Sequence, residues 1–316
     1  MAKANPTLTF MSAHQGISAN TVVLVIGATG ALGQAMVAHL LHHTGCQIVA
    51  TGRSSPPATL LRDNCRLTFQ HCHLDSAMDI VRMLTAVKPD MVLHLAATFD
   101  DDISQAQQIN YQAAATILGW VASHRNVTRV LLVGSAAEYG VVSVDDNPVS
   151  ETRQLRPVSV YGHSKACQSQ LVTYFASRGV SVVLGRIFNL IGEGLSTRLF
   201  IGKVHAQIAE VKLGQRVKIE VGSLSACRDY LPLDGAITQL ITIACQGLAG
   251  ETYHVASGHP VTMRDLLSQE LVKNGLDFSC VVESPALSNR IGYDVPIIYA
   301  DMAKTNALMS QMSQHA

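Results

Sequence analysis

Charge is scarce in this sequence. Charged side chains are 15% of its 316 residues, against about 25% in an average globular chain, and 23 basic groups are matched by 23 acidic ones. A chain without net charge does not grip nucleic acid or an anionic membrane by its overall field. The shortage is uneven: between Lys3 and Arg53 there is no Asp, Glu, Lys or Arg. A membrane span does not fit that gap. Its most apolar part, Thr21 to Leu41, is interrupted by Gly27, Gly30, Gly33, Gln34 and His39 and begins as a β-branched run suited to a strand. Residues 1–19 hold one Lys and no sustained apolar stretch, so they predict a loose N-terminal extension rather than a signal peptide.

Other features are missing as well. The seven cysteines are odd in number and form no Cys-x-x-Cys pair, which argues against a disulfide framework and points to a reduced, cytoplasmic compartment. The thirteen histidines include His71-Cys72-His73, but no third ligand follows at zinc spacing, so no metal is expected. There is no internal repeat, low-complexity tract or Pro/Ser linker. With 48% hydrophobic residues, the chain has enough apolar surface for a large core, and a folded enzyme or binding protein remains.

Short apolar runs alternate with helical patterns through the first 190 residues: Val22 to Ile26, Gln47 to Thr51, Met91 to Leu95, Val130 to Val133 and Val180 to Leu184. Continuous rather than alternating apolar runs suit strands buried on both faces, and interleaved helices require right-handed crossovers into a parallel sheet. The pattern predicts an α/β fold, a Rossmann-like doubly wound parallel sheet. Helical spacing marks Gln34 to Leu41, Asp79 to Val87 and Asn110 to His124 as sheet-covering helices. After Arg186 the elements shorten, with helices near Phe200 to Leu213 and Thr262 to Asn274. The expected organisation is the extension at 1–19 and a dinucleotide-binding domain at 20–186, to which segments near 230–252 and 286–300 return. A smaller C-terminal substrate-binding cap takes most of 187–316, with the ligand crevice between the two.

Gly27-Ala28-Thr29-Gly30-Ala31-Leu32-Gly33 lies directly between the first strand and the first helix. Glycines there allow a tight turn and close backbone approach, so a pyrophosphate can rest on the amides and positive dipole of the helix N-terminus. A structural turn would also use glycine, but the position between strand and helix favours a dinucleotide site that includes Thr29, Ala31 and Leu32. The second strand ends Ala50-Thr51-Gly52-Arg53-Ser54. It offers no carboxylate for a ribose 2′-hydroxyl and one Arg that suits a 2′-phosphate, so NADP(H) is expected in preference to NAD(H).

Tyr161-Gly162-His163-Ser164-Lys165 stacks its Tyr and Lys one helical turn apart. An ammonium about 4 Å from a phenol, at an effective dielectric near 20, contributes about 4 kcal/mol, enough to bring a phenol pKa from near 10 to about 7. Tyr161 is therefore expected to exchange a proton with a carbonyl or alcohol oxygen near neutral pH. Ser135 follows the strand Val130 to Val133 and so lies at a strand C-terminal end, where open parallel sheets bind ligands. Its hydroxyl can donate to the oxygen that Tyr161 protonates.

With these motifs in chain order, the sequence resembles the extended short-chain dehydrogenase/reductase family of nucleotide-sugar epimerases, dehydratases and reductases. The resemblance rests on Gly27-x-x-Gly30-x-x-Gly33, His94-Leu95-Ala96-Ala97, Gly134-Ser135-Ala136-Ala137-Glu138-Tyr139-Gly140, Tyr161-x-x-x-Lys165 and Arg186-Ile187-Phe188-Asn189. It covers nearly the whole chain after the extension. Val221-Gly222-Ser223-Leu224, Cys227-Arg228-Asp229-Tyr230 and Asp234 look most like the GDP-4-keto-6-deoxymannose reductases within that family. The resemblance implies Tyr161 as proton donor, Lys165 as the group that tunes it and binds the nicotinamide ribose, and Ser135 as the holder of the substrate carbonyl. Leu95, Ala96 and Ala97 would line the cofactor. Asn189 and Arg228 would meet the sugar nucleotide, Arg228 at its diphosphate, and Arg290 would be a second phosphate or ribose contact. A homodimer through helices around 110–124 and 161–178 is implied too.

Two departures from the family pattern narrow the reading. Dehydratases of this family carry acidic residues at the positions of Ala136 and Ala137, which transfer no proton here, while Glu138 stands next to Tyr139 in a register that points elsewhere. His73 falls near the place of the adenine-holding Asp, with Asp75 displaced, so the adenine contact stays open. The expected protein is an NADPH-dependent oxidoreductase that reduces the C4 keto group of a nucleotide-linked 4-keto-6-deoxyhexose, GDP-linked by preference. Two alternatives share its motifs. One is a nucleotide-sugar 4-epimerase holding NAD tightly; the other is a non-catalytic NADP-sensing protein, against which the intact Ser135, Tyr161 and Lys165 speak.

Overall fold

Apolar runs become strands in the computed structural model, which describes residues 17–57, 64–124, 127–284, 287 and 295–313. The first six strands are β1 (Val22–Ile26), β2 (Gln47–Gly52), β3 (Leu67–His71), β4 (Met91–His94), β5 (Arg129–Ser135) and β6 (Val182–Ile187). Five of them lie where the runs predict. The exception is β3, an edge strand that stays partly exposed along its length and so has no continuous apolar run. Three more strands, β7 (Asn189–Ile191), β8 (Ile219–Val221) and β9 (Cys227–Pro232), lie outside this sheet, and β10 (Thr252–Val255) joins its edge. The strand order is β10-β6-β5-β4-β1-β2-β3, with every pairing parallel.

Helices cover both faces: α1 (Ala31–His43), α2 (Ala77–Val87), α3 (Ala113–His124), α4 (Val160–Ala176), then α5 (Phe200–Lys212) in the cap and α6 (Leu233–Gln246) back on the sheet. The period of two along β1 divides its side chains between two cores. Val23 and Val25 pack with Val37 and Leu40 of α1 and with Leu240 and Ile241 of α6. Leu24 and Ile26 pack with Ile80 of α2, Ile117 and Leu118 of α3 and Val172 of α4. Each such fully buried aliphatic side chain contributes about 1.5–3 kcal/mol, which explains why both faces of one short strand are apolar. Between β1 and β4 the direction of winding reverses, and ligands of open α/β sheets bind at that switch point beyond the strand C-termini.

The cap has its own core, in which Ile201, Val204 and Ile208 of α5 meet Ile219 of β8 and Leu266 and Leu267 of α7 (Met263–Lys273). A small sheet centres on β9, which pairs with β7 and with β11 (Pro260–Thr262); β12 (Val281–Glu283) pairs with β8. In its described part the segment near 286–300 forms β13 (Ile297–Ile298), which pairs with β9, Cys227 N donating to Pro296 O at 2.8 Å, and Tyr299 O of the same segment accepts from Val149 N at 2.8 Å. The last helix is α8 (Ala303–Ser313). Residues 1–16 of the expected extension lie outside the described residues, and Ile17 is not loose but buried in the core beside α1. No helix among the described residues is long and apolar enough to cross a membrane.

Candidate active site

The turn from β1 into α1 holds Gly27 at φ +87°, in the left-handed region that favours glycine. A Cβ there would stand 2.7 Å from Ala96 Cα, so the turn packs directly on the loop that follows β4. Gly30 caps α1 without a side chain, and no acidic residue occupies the first turn. The amides and dipole at that helix N-terminus are left for an anionic group, a cradle that fits a dinucleotide pyrophosphate. Thr29, Ala31 and Leu32 are half-buried in the turn and Gly33 is buried. Leu95 N donates to Ile26 O at 2.9 Å, which sets Leu95, Ala96 and Ala97 beside the cradle. Arg53, just past β2, is exposed and has no ion pair or hydrogen bond among the described residues.

Ser135 ends β5 and caps the 3₁₀ turn Ala136–Tyr139, its Oγ accepting from Ala137 N at 3.2 Å. Helix α4 starts against that turn. Ser159 Oγ accepts from Gly162 N at 3.0 Å, and a Cβ on Gly162 would stand 2.4 Å from Ala137 O. The missing side chain allows this approach, and the approach brings Tyr161 close enough for the Ser135 hydroxyl to act on the phenol. The ring of Phe99 lies 4.5 Å from that of Tyr161, centroid to centroid, and Arg198 of the cap donates to Phe99 O.

The expected direction of the Tyr161 pKa is reversed. Burial pushes the phenol up to about 12; the Ser135 hydroxyl offsets part of this and the negative charge of Glu138 adds to it. Lys165 does not supply the anticipated cationic pull, because its ammonium is turned along α4 and donates to Gln168 Oε1. Lys165 is itself buried, and burial brings it down to about 8 against an opposing contribution from Glu138. Desolvation therefore outweighs the Coulomb attraction that one turn of helix suggests.

Three supporting groups were given no role in the site by the sequence. Asn110 lies in a π-helical segment, Gln107–Gln112, between the short helix Ile103–Ala106 and α3. Buried there, it accepts from Thr98 N at 2.8 Å and donates to Ser164 Oγ at 2.9 Å, tying the loop after β4 to α4. Glu138 and Arg186 form a buried ion pair at 2.9 Å. Arg186 also donates to Tyr139 Oη at 2.8 Å, and that oxygen lies 2.6 Å from His254 Nε2. A charge inside an apolar strand, as Arg186 is inside Val-Val-Leu-Gly-Arg-Ile, is the signal that a buried partner exists. His94 is fully buried, and neither ring nitrogen has a partner among the described residues. Burial lowers it to about 3, with the Lys165 charge acting in the same direction.

Among the residues expected to meet the sugar nucleotide, Asn189 Nδ2 donates to Asp229 O at 2.9 Å. Arg228 is buried in β9 and donates to the carbonyls of Cys227 and Val295 at 2.8 and 2.6 Å. Pairing of β7 with β9 brings these two residues into one small sheet just beyond the end of β6. Arg290 lies outside the described residues.

Residues 23–256 match the model of the NAD dependent epimerase/dehydratase family. The chain belongs to that family. It is an NAD(P)-dependent enzyme of the extended short-chain dehydrogenase/reductase type. A GDP-6-deoxy-D-mannose reductase of Pseudomonas aeruginosa is 29% identical over 187 residues, 57% of this chain and 61% of that protein; the match spans less than two thirds of that relative. A dTDP-6-deoxy-L-talose 4-dehydrogenase (NAD(P)(+)) of Kitasatospora kifunensis is 24% identical over 269 residues, 84% of this chain and 82% of that one. The fold matches that of RMD from Pseudomonas aeruginosa, solved with NADPH, at a TM-score of 0.76 and 21% identity over 95% of this chain and 100% of the other.

Proposed function

We propose that this enzyme uses NADPH to reduce the C4 keto group of a nucleotide-linked 4-keto-6-deoxyhexose, GDP-linked by preference. The observation that carries the reading is the Ser135–Tyr161 hydroxyl pair at the strand edge, with its phenol kept protonated by burial. Bound NADPH supplies the hydride for C4. Tyr161 gives its proton to O4 as negative charge builds there, and a phenol held at about 12 is fully protonated, hence ready to donate, at neutral pH. Ser135 donates a hydrogen bond to the same oxygen and holds it in place. Lys165, still largely an ammonium at neutral pH with a pKa of about 8, binds the nicotinamide ribose.

The remaining assignments are those that the sequence motifs imply. Gly27, Thr29, Gly30, Ala31, Leu32 and Gly33 cradle the pyrophosphate, and Leu95, Ala96 and Ala97 line the cofactor beside them. Arg53 takes the 2′-phosphate at a strand end that holds no carboxylate. Asn189, Arg228 and Arg290 belong to the sugar nucleotide. Dehydration is disfavoured because Ala136 and Ala137 carry no proton and Glu138 is committed to Arg186. Likeness to the Pseudomonas GDP-6-deoxy-D-mannose reductase supports the GDP preference. A cytoplasmic homodimer through α3 and α4 belongs to the same reading.

The test offers the purified protein GDP-, dTDP-, CDP- and UDP-linked 4-keto-6-deoxyhexoses with NADPH and follows the loss of nicotinamide absorbance. Turnover is expected, fastest with the GDP sugar. Turnover of none of them sinks the substrate assignment. Protein that carries tight NAD and converts a nucleotide sugar without added NADPH is a 4-epimerase instead.

A further inference from the structure

The reaction above uses no carboxylate, yet one is buried directly behind it. Glu138 has no exposed surface. Its Oε1 accepts from the backbone N–H of Ser135 at 2.7 Å. Its Oε2 accepts from Ser169 Oγ at 2.7 Å and from Arg186 Nε at 3.0 Å, and lies 2.9 Å from a second Arg186 nitrogen. One side chain thus joins the end of β5, the middle of α4 and strand β6, and both of its oxygens accept hydrogen bonds. A buried ion pair is weak evidence of a stability role, because apolar residues of similar volume often serve as well. The position of this pair, bonded to the backbone of a reacting hydroxyl residue, gives it a role in the chemistry. Its charge opposes the burial of the Lys165 cation and favours the neutral phenol of Tyr161, the two protonation states that proton donation requires.

We propose that Glu138 is a positioning residue of the proton-transfer site. Through the Ser135 amide, Ser169 and Arg186 it fixes Ser135 against Tyr161 and places one buried negative charge behind the Tyr161–Lys165 pair. This rests on the reductase reading for its effect on turnover, though not for its effect on Lys165. The charged and titratable groups around it are Arg186 of β6, Tyr139 of its own turn, and Tyr161 and Lys165 of α4. Beyond them stand His254 of β10 and Glu151, both near Tyr139, and His94 of β4, which faces Lys165.

The experiment uses the full chain with Glu138→Gln, which keeps the shape and removes the charge, and Glu138→Asp, which keeps the charge and withdraws it from the Ser135 amide. NADPH affinity and thermal midpoint report folding. In Glu138→Gln, kcat is expected to fall about tenfold or more with KM nearly constant, since small misplacement of reacting groups is costly in rate. Lys165, followed by NMR of 13Cε-labelled lysine and assigned with Lys165→Arg, should titrate near its parent value of about 8 in Glu138→Asp and at lower pH in Glu138→Gln. Glu138→Asp should nevertheless lose kcat. A folded Glu138→Gln with parental kcat and an unmoved Lys165 titration overturns the proposal. If Glu138→Gln does not fold, parental kcat in Glu138→Asp overturns it. A parent enzyme inactive on every sugar overturns the reductase reading alone, because the Lys165 titration still decides whether Glu138 sets the charge there.

Discussion

From β1 to the end of β2 one wall of the candidate site carries no Asp, Glu, Lys or Arg, whereas the wall running from Ser135 to Arg186 buries Glu138, Lys165 and Arg186 together. The first wall is backbone: Gly27 in a left-handed turn and an α1 N-terminus with no side-chain cap. The second is side chains in a closed network from the Ser135 amide through Glu138, Arg186 and Tyr139 to His254. Fixed amide dipoles suffice to hold an anion that never changes charge. A proton that must move in a desolvated pocket needs titratable groups whose charge is set by buried partners.

Removing the proposed proton donor while sparing the backbone wall separates the two most strongly. Tyr161→Phe is expected to lower kcat by about a hundredfold to ten-thousandfold and to leave NADPH affinity within a few-fold, by steady-state rates and fluorescence titration. Survival of both turnover and binding would remove Tyr161 from the mechanism.

Acid should find the side-chain wall. His94 and His254 are lowered to about 3 and about 4, each mainly by burial. Their folded pKa values lie below the ordinary 6.5, so below that pH the unfolded chain binds protons that the native state refuses. Stability is full above pH 6.5 and declines as pH falls towards the folded values, by roughly 2 kcal/mol per histidine at pH 5. Thermal midpoints at pH 7 and pH 5 measure this loss. The gap between them should narrow in His254→Asn, and an unchanged gap would clear His254.

The smallest effect tests the one charge on the backbone wall. Arg53→Ser is expected to weaken NADPH by about tenfold, near the lower bound for a charge-assisted hydrogen bond at an exposed site, and to leave NADH affinity unchanged. Equal weakening of both nucleotides would deny Arg53 a part in cofactor choice.

Much of the backbone wall was legible in the sequence. Gly27 to Gly33 stands between an apolar run and a helical pattern, and strand, turn and helix form there because each is a local consequence of neighbouring residues. Edge strand β3 was missed because it is half exposed and has no run to see. The π-helical turn that buries Asn110 was missed because helical spacing predicts an unbroken helix. On the side-chain wall the identities of Ser135, Tyr161 and Lys165 were legible but their electrostatics were not. A four-residue spacing suggested a Tyr161 phenol lowered by Lys165; in the fold, burial near Phe99 raises it and Gln168 takes the ammonium.

By itself, then, the sequence determined the parallel sheet, the glycine cradle and the chain order of Ser135, Tyr161 and Lys165, since hydrophobic period and turn chemistry act between near neighbours. Only the tertiary structure decided that Glu138 lies beneath Ser135, that Arg186 pairs with it and that Tyr161 remains a phenol. Desolvation and buried charge depend on which distant segments close over a side chain, and no local spacing records that.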